Sequence, residues 1–568
     1  MTASRPNRRL LAHPAVVGLA IALLAALIAL VLVVRERRAD AVDRPVPGMA
    51  GTAAQRIEAD VRFLADDLLE GREAGTRGYQ LASLYVAERM RAIGLEPGGE
   101  DGSYFQRVPL LRAQRLADGG ELRIERDGAV RTLRFREDFL PALNYNAADA
   151  RITAPAVFVG QGVNAPSPKH DDFRGVDLSG KIAVLFAGAP AKFDNDRRAF
   201  YSSTREKLAE LVRRGAVGAV FVATDEDEKR RPWARGAADW DQPGMRLRGP
   251  DGRGIDTFPQ LRVVTNVNAA SAAALLGRDP APLFKAVNDG TLAPFELPGT
   301  LTLAARTQIT ADESRNVVGR LPGSHRTLAA EHVAFTAHLD HVGIGTPVDG
   351  DAIYNGALDN ALGIGIMLEA ARELAARPVS PRRSSLFIAL TAEEKGLLGA
   401  EWFASHPTVP RESIVANVNM DMPILLTPTT DVIPIGIEHS TLQPIVERAA
   451  REVGVELSPD PFPEQVVFVR SDQYAFIRAG IPAVYLDGGM EATQRGIDGK
   501  AALQGFLDEH YHEPSDEADQ PIQYRDAARL ARLNARIGEL IGNGAQRPRW
   551  NAGDFFGERF APKSAPAQ

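Results

Sequence analysis

The side chains able to do chemistry in this 568-residue sequence gather in five short stretches of its C-terminal half. They are Ala337-His338-Leu339-Asp340-His341, Asp359-Asn360, Glu393-Glu394, Asn419-Met420-Asp421 and Tyr511-His512-Glu513-Pro514-Ser515-Asp516. Two histidines, His338 and His512, and three carboxylates, Asp359, Glu394 and Asp421, form a mixed nitrogen and oxygen donor set. Such a set suits zinc, with manganese and cobalt as alternatives. Five protein ligands serve two divalent ions if one carboxylate bridges and open positions remain for water. Glu393 is then the carboxylate left over, adjacent to a ligand and able to take a proton from water. Asp340, two residues after His338, is placed to orient its imidazole. The sequence contains no cysteine, which excludes disulfides, thiolate-bound zinc and thiol catalysis. The chemistry this spacing implies is metal-assisted hydrolysis.

Taken singly, each stretch also has a plainer structural reading. Asp359 could cap the helix that begins at Asn360. Glu393-Glu394-Lys395 could be a solvated first helical turn, and Asp421 and His512 could be turn and surface residues. These readings weaken together, because one sheet edge could gather all the stretches. Several carboxylates in one place repel each other unless cations neutralise them.

The elements that must do the gathering alternate between strand and helix. Short apolar runs at 333–337, 385–391, 414–419, 432–437 and 483–486 read as strands. Helical periodicity covers 360–376, 397–405, 442–453 and 526–541. Alternation of this kind predicts an α/β fold, a mostly parallel (mixed) sheet flanked by helices on both faces. In such a sheet the site forms at the carboxyl ends of the strands, where three of the five stretches fall. Upstream, amphipathic helices are expected from 57 to 69 and from 81 to 93. Residues 121–300 change character to short β-branched runs between Gly, Pro and Asp turns, with one helix near 207–214. The expected division is therefore 1–50 (a stub, a membrane anchor and a linker), 51–120 (the first part of the main domain), 121–300 (a β-rich insert), 301–545 (the main domain) and 546–568 (a poorly ordered tail).

At this length more than one domain is expected, and the net charge of −7 gives no basic footprint for nucleic acid. Residues 14–34 form an uncharged apolar stretch long enough to span a bilayer. Ala39-Asp40-Ala41 resembles a signal cleavage site, but Arg35-Glu36-Arg37-Arg38 lies before it, which favours an uncleaved transmembrane helix. Arginines flank the stretch on both sides, so charge alone does not orient it.

These stretches resemble, in order, the co-catalytic zinc aminopeptidases of the bacterial leucyl aminopeptidase type, a family that includes glutamate carboxypeptidases and catalytically silent receptors. The likeness rests on the His338 and Asp421 stretches, on Gly356-Ala357-Leu358-Asp359-Asn360-Ala361-Leu362-Gly363, on Thr391 to Gly399 and on Tyr511 to Asp516, with Leu69 to Thr76 in support. It implies a zinc-peptidase fold in which His338 and Asp421 bind one Zn2+, Glu394 and His512 a second, and Asp359 bridges them. Glu393 would be the base of a two-zinc, bridging-water mechanism that releases N-terminal residues from a peptide substrate. A cis Asp359-Asn360 peptide is also implied. A carboxypeptidase or an aminoacyl cyclase of the same fold, or a silent receptor, would share much of this pattern. Family members commonly have His after Arg470-Ser471-Asp472; Gln473 departs from that, which leaves the ligands intact but bears on the pocket. Phe173 to Val184, Lys207 and Gly215 to Ala219 resemble a protease-associated domain. Architectures of that kind imply a catalytic domain in the periplasm or outside the cell. Nothing in the sequence gives the oligomeric state.

Overall fold

The computed structural model describes residues 51–562. The expected anchor at 14–34 lies outside the described residues; among them, no helix is long and apolar enough to cross a membrane.

The large sheet is mixed and carries the site. Its strands are β1 (Phe105–Arg126), β2 (Thr300–Leu321), β3 (His332–His338), β4 (Ser384–Leu390), β5 (Ile414–Asn419), β6 (Asp431–Ile435) and β7 (Ala483–Gly488). They run in the order β1-β2-β4-β3-β5-β7-β6, with shorter strands at both edges. The four central strands, β4, β3, β5 and β7, are parallel, whereas β2 and β6 join them antiparallel. Alternate residues serve opposite faces, as the pleat dictates. Val333, Phe335 and Ala337 face one layer and Ala334 the other, matched on β4 by Phe387 and Leu386.

One face is covered by α1 (Ala53–Leu64), α2 (Arg77–Ile93), α3 (Leu362–Ala375), α5 (Gln443–Val453), α6 (Gly499–Glu509) and α7 (Tyr524–Asn543). The other is covered by α4 (Leu398–Ser405) and the short helix Gln473–Arg478. Helix α1 starts in a capping box, Gln55 N–H donating to Thr52 Oγ1 and Thr52 N–H to Gln55 Oε1. Its buried Arg56 donates to both oxygens of Glu369 on α3, and Arg372 approaches the same Glu369 at 3.0 Å. Buried charges are tolerated only when paired in this way, and the pairing fixes α1 on α3. Helix α6 was not expected from the sequence.

The insert is less separate than its composition suggests. Strands β1 and β2 pair antiparallel from Thr300 opposite Glu125 to Val317 opposite Phe105, so they cross the expected boundaries at 121 and 301 without a linker. Their outer ends, through Leu122, Ile124, Leu301 and Leu303, belong to the core of a second, six-stranded sheet. That sheet is also more helical in its surroundings than expected, with Asn195–Ser202 and Thr204–Arg213 on one connection and Asp225–Arg230 and Trp233–Ala238 on the next.

The expectation of a poorly ordered tail is corrected by residues 549–560, which pack on the body. Trp550 Nε1 donates to Gly480 O at 2.9 Å, and Phe556 in the helix Phe555–Phe560 is fully buried. Aromatic residues made this segment a packed strap despite its polar, Pro-containing composition.

Candidate metal centre

The sheet delivers the candidate residues to one place because three of them end or follow parallel strands. His338 closes β3, the Glu393-Glu394 turn follows β4, and Asp421 follows β5. Asp359 comes from the turn before α3, where Gly356 has φ +60° and a Cβ would lie 2.2 Å from Asp359 O. Gly363 is needed for a different reason: a Cβ there would meet Asn360 Oδ1 at 2.1 Å and Met420 O at 2.6 Å. That close approach lets Asn360 Nδ2 donate to Met420 O, while its Oδ1 accepts from Gly363 and Met422 N–H, each at 3.0 Å. The backbone on both sides of Asp421 is thereby tied to the Asp359 turn. The Asp359-Asn360 peptide is cis, as the resemblance implied.

Asp359 lies at the middle of the arrangement. His338 Nε2 stands 3.1 Å from its Oδ1 and 2.9 Å from Asp421 Oδ1. His512 Nε2 stands 3.2 Å from its Oδ2 and 3.1 Å from Glu394 Oε2. All five expected donors therefore converge, and Glu393 lines the same cavity as His338, Asp359, Asp421 and His512.

Electrostatically the cluster is short of positive charge. Burial works against a charged His338, yet Asp421, Glu393 and Asp359 raise it well above an ordinary histidine. His512 is likewise pushed up to about 10 by Glu394 and Asp359, against its own burial. Burial alone would raise Asp359 and Glu394, but the imidazoles hold Asp359 well below the usual carboxylate range and Glu394 at about 2. Glu393 is raised well above the usual range by burial, which the pull of His338 opposes, and by repulsion from Glu394 and Asp421. Carboxylates gathered this closely call for cations to offset their mutual repulsion. Both carboxylate oxygens of Asp472 and Nε2 of His341 are buried without a hydrogen-bond partner. Two groups of donor atoms lie close enough to hold an ion, His338 with Asp359 and Asp421, and His341 with Asp359 and Glu394. The donor set therefore fits a pair of divalent cations.

The structure corrects one role and adds others. Asp340 does not orient His338 through its carboxylate. Its backbone carbonyl faces His338 Nδ1 at 3.0 Å, while the carboxylate accepts from Glu393 and Glu394 N–H at 3.1 and 3.4 Å. Asp340 thus fixes the turn that carries those glutamates, and burial raises it to about 6. His341 was quoted in the motif but given no role; fully buried, it stands 2.8 Å from Glu394 Oε1. Its position three residues after His338 in one strand-end turn was the available signal. Arg72 was likewise within a quoted stretch without a role. Its guanidinium donates to the carbonyls of Leu64, Leu339, Asn355 and Gly356, holding the turns that carry His338 and Asp359. Gln473 bonds from Asn419 on β5 to the carbonyls of Val467 and Phe468, so this departure from the family pattern shapes the loop at the cavity wall.

A mixed sheet with acidic and histidine donors at the carboxyl ends of its parallel strands defines an α/β protein with a metal-binding type of site. Residues 316–537 match the model of peptidase family M28. Among solved structures, the aminopeptidase from Aneurinibacillus sp. strain AM-1 is similar at 18% identity and TM-score 0.50, over 85% of this chain and 92% of that one. A zinc aminopeptidase from Bacillus subtilis has 19% identity over 85% and 94% of the two chains, with TM-score 0.42. A peptidase M28 precursor from Shewanella amazonensis SB2B has 16% identity over 87% and 97%, with TM-score 0.41. The first likeness shows a shared fold; the other two add nothing to it.

Proposed function

We propose that this protein is a metal-dependent aminopeptidase whose centre takes two zinc ions. His338 and Asp421 would hold one, His512 and Glu394 the other, and Asp359 would bridge. The observation that carries this reading is the placement of Asp359, with His338 at one carboxylate oxygen and His512 at the other. A carboxylate shared by two cations needs that arrangement. The Aneurinibacillus structure is named an aminopeptidase, which supports the same polarity here.

When bound, the divalent ions supply Lewis acidity toward the scissile carbonyl and the attacking water. Glu393 accepts a proton from that water at its carboxylate and returns it to the leaving amine. Asp340 holds the Glu393 backbone through this exchange. The Asp340 carbonyl accepts Nδ1–H of His338, which leaves Nε2 free to face a metal. His341 steadies Glu394 from behind.

The insert fits a protease-associated domain that borders the cleft, since Lys229 and Arg230 line the cavity with the metal donors. Residues 14–34 would anchor the chain in the membrane, with its bulk in the periplasm or outside the cell.

The test is hydrolysis by the zinc-loaded, detergent-solubilised full chain. Free-amine aminoacyl amides and N-blocked peptides are compared, with and without chelator. Chelator-sensitive release from free-amine substrates alone is the expected result. Cleavage confined to N-blocked peptides would replace this reading with a carboxypeptidase, and no cleavage of either would end it.

A further inference from the structure

The cavity that contains the metal donors measures about 870 Å³, far more than the donors need. Much of the remaining lining is aliphatic, from Ile424, Ile433, Ile435, Leu503 and Leu507. Four carboxylates beyond the metal donors and Glu393 interrupt it: Asp460, Glu464, Asp487 and Asp508. Asp487, near the end of β7, also lines the cavity, and its Oδ1 is fixed by Gly488 N–H at 2.6 Å and Ile424 N–H at 3.2 Å.

Nothing in the described surroundings neutralises this group. Burial raises Asp487 to about 7, opposed only by those two backbone bonds, and the side-chain charges acting on it most strongly are Asp460 and Asp421, both negative. Two basic residues of the cavity are engaged elsewhere: Lys229 Nζ sits 2.7 Å from Glu226, and Arg230 lies 3.5 Å from Asp227. An apolar ligand filling the cavity would bury the carboxylate further with no partner, which is unfavourable. A ligand with an aliphatic stem and a cationic head would cover the isoleucines and pair with it.

We propose that Asp487 is a specificity-determining residue, and that the cavity takes peptides whose first residue is lysine or arginine. The stem lies on Ile424, Ile433 and Ile435, and the ammonium or guanidinium meets the free side of the Asp487 carboxylate. This rests on the aminopeptidase reading above.

The experiment compares kcat/KM for lysyl, arginyl and norleucyl amides with the zinc-loaded full chain. Norleucine keeps the lysine stem and lacks its charge. The wild type is expected to favour lysyl over norleucyl about tenfold or more, because a site built for a polar partner rejects the analogue that lacks it. In Asp487→Asn that ratio falls toward one, and Asp487→Glu retains part of it. Equal wild-type rates on lysyl and norleucyl amides would overturn the proposal without touching the peptidase reading, and they require no variant to fold. A loss in Asp487→Asn that is the same for both substrates would also overturn it, since the residue would then be serving the α-ammonium or the fold. Absence of turnover on every aminoacyl amide would instead remove the reading on which the proposal rests.

Discussion

Asp516 Oδ2 accepts the backbone N–H of Asp359 at 3.0 Å, and its other oxygen accepts that of Leu358 at 2.9 Å. Asp516 lies four residues after His512, so one buried carboxylate ties together the loops that bring Asp359 and His512 to the same point. Burial pushes it up to about 6 while those two backbone bonds hold it down.

Asp516→Asn keeps the size of the side chain but can accept only through one oxygen, leaving a buried N–H without its partner. Outer partners of this kind are typically worth about 10- to 100-fold in metal affinity or activity. Zinc affinity measured by competition with a chromogenic chelator should fall in that range, with the circular dichroism spectrum retained. Unchanged affinity would show that the two loops hold their positions without it.

Glu393→Ala should retain bound zinc and fold but lose about 10²–10⁴-fold in kcat, the usual contribution of a positioned base. The measurement is turnover normalised to metal content. Wild-type turnover in a metal-loaded variant would remove Glu393 from the mechanism.

His512 and His341 both stand beside Glu394, at 3.1 and 2.8 Å, but only His512 also lies within 3.2 Å of Asp359. His512→Ala should therefore lose about one zinc equivalent per chain by elemental analysis. His341→Ala should keep both ions and bind one of them more weakly. The opposite pattern would exchange their roles.

Much of this centre was legible because its donors sit where strand periodicity changes to turn residues. His338, Asp421 and the Glu393-Glu394 turn could be placed at strand ends from the apolar runs before them. What could not be read is contact made through backbone atoms. Asp340 looked like a partner for His338 by spacing, yet a carbonyl from the same residue fills that role and frees the carboxylate for the next turn. Arg72 binds only carbonyls, and Asp516 only amides, so neither leaves a pairing signal in sequence. The long strands β1 and β2 were missed because their burial changes as they pass from one sheet to the other, which breaks the alternation that marks a strand. Gln473 was recognised as a departure, but its hydrogen bonds, one from Asn419 and two to the loop at the cavity wall, depend on tertiary neighbours.

Lys207 provides a test by pH. Its Nζ is buried in the insert and donates to Gln161 O at 2.5 Å and Gly188 O at 2.6 Å, and burial lowers it from 10.5 to about 7. Between those values the unfolded chain holds a proton that the folded chain has released. Stability from this group therefore rises with pH across that window, by at most about 1.4 kcal/mol per unit, and below pH 7 the folded state bears the full penalty of a buried charge. Lys207→Met lacks this term. The melting temperature of the wild type relative to the variant should climb between pH 7 and pH 9, and a constant difference would show that Lys207 stays charged in the fold.

Phe556 tests whether the C-terminal strap supports the catalytic body. Its ring is fully buried, 5.4 Å from His439, 5.5 Å from Phe468 and 6.4 Å from Tyr474. The same short helix reaches the insert, where the Arg559 guanidinium lies 3.7 Å from the Phe200 ring. Phe556→Ala removes a large buried ring from a packed site, at a cost of about 3–5 kcal/mol. A lowered melting temperature is expected. A raised KM should accompany it, because Phe468 adjoins Val467 in the cavity wall. If the melting temperature fell while KM held, the strap would stabilise the body without shaping the cavity. If neither moved, residues 549–560 would be bound too weakly to matter.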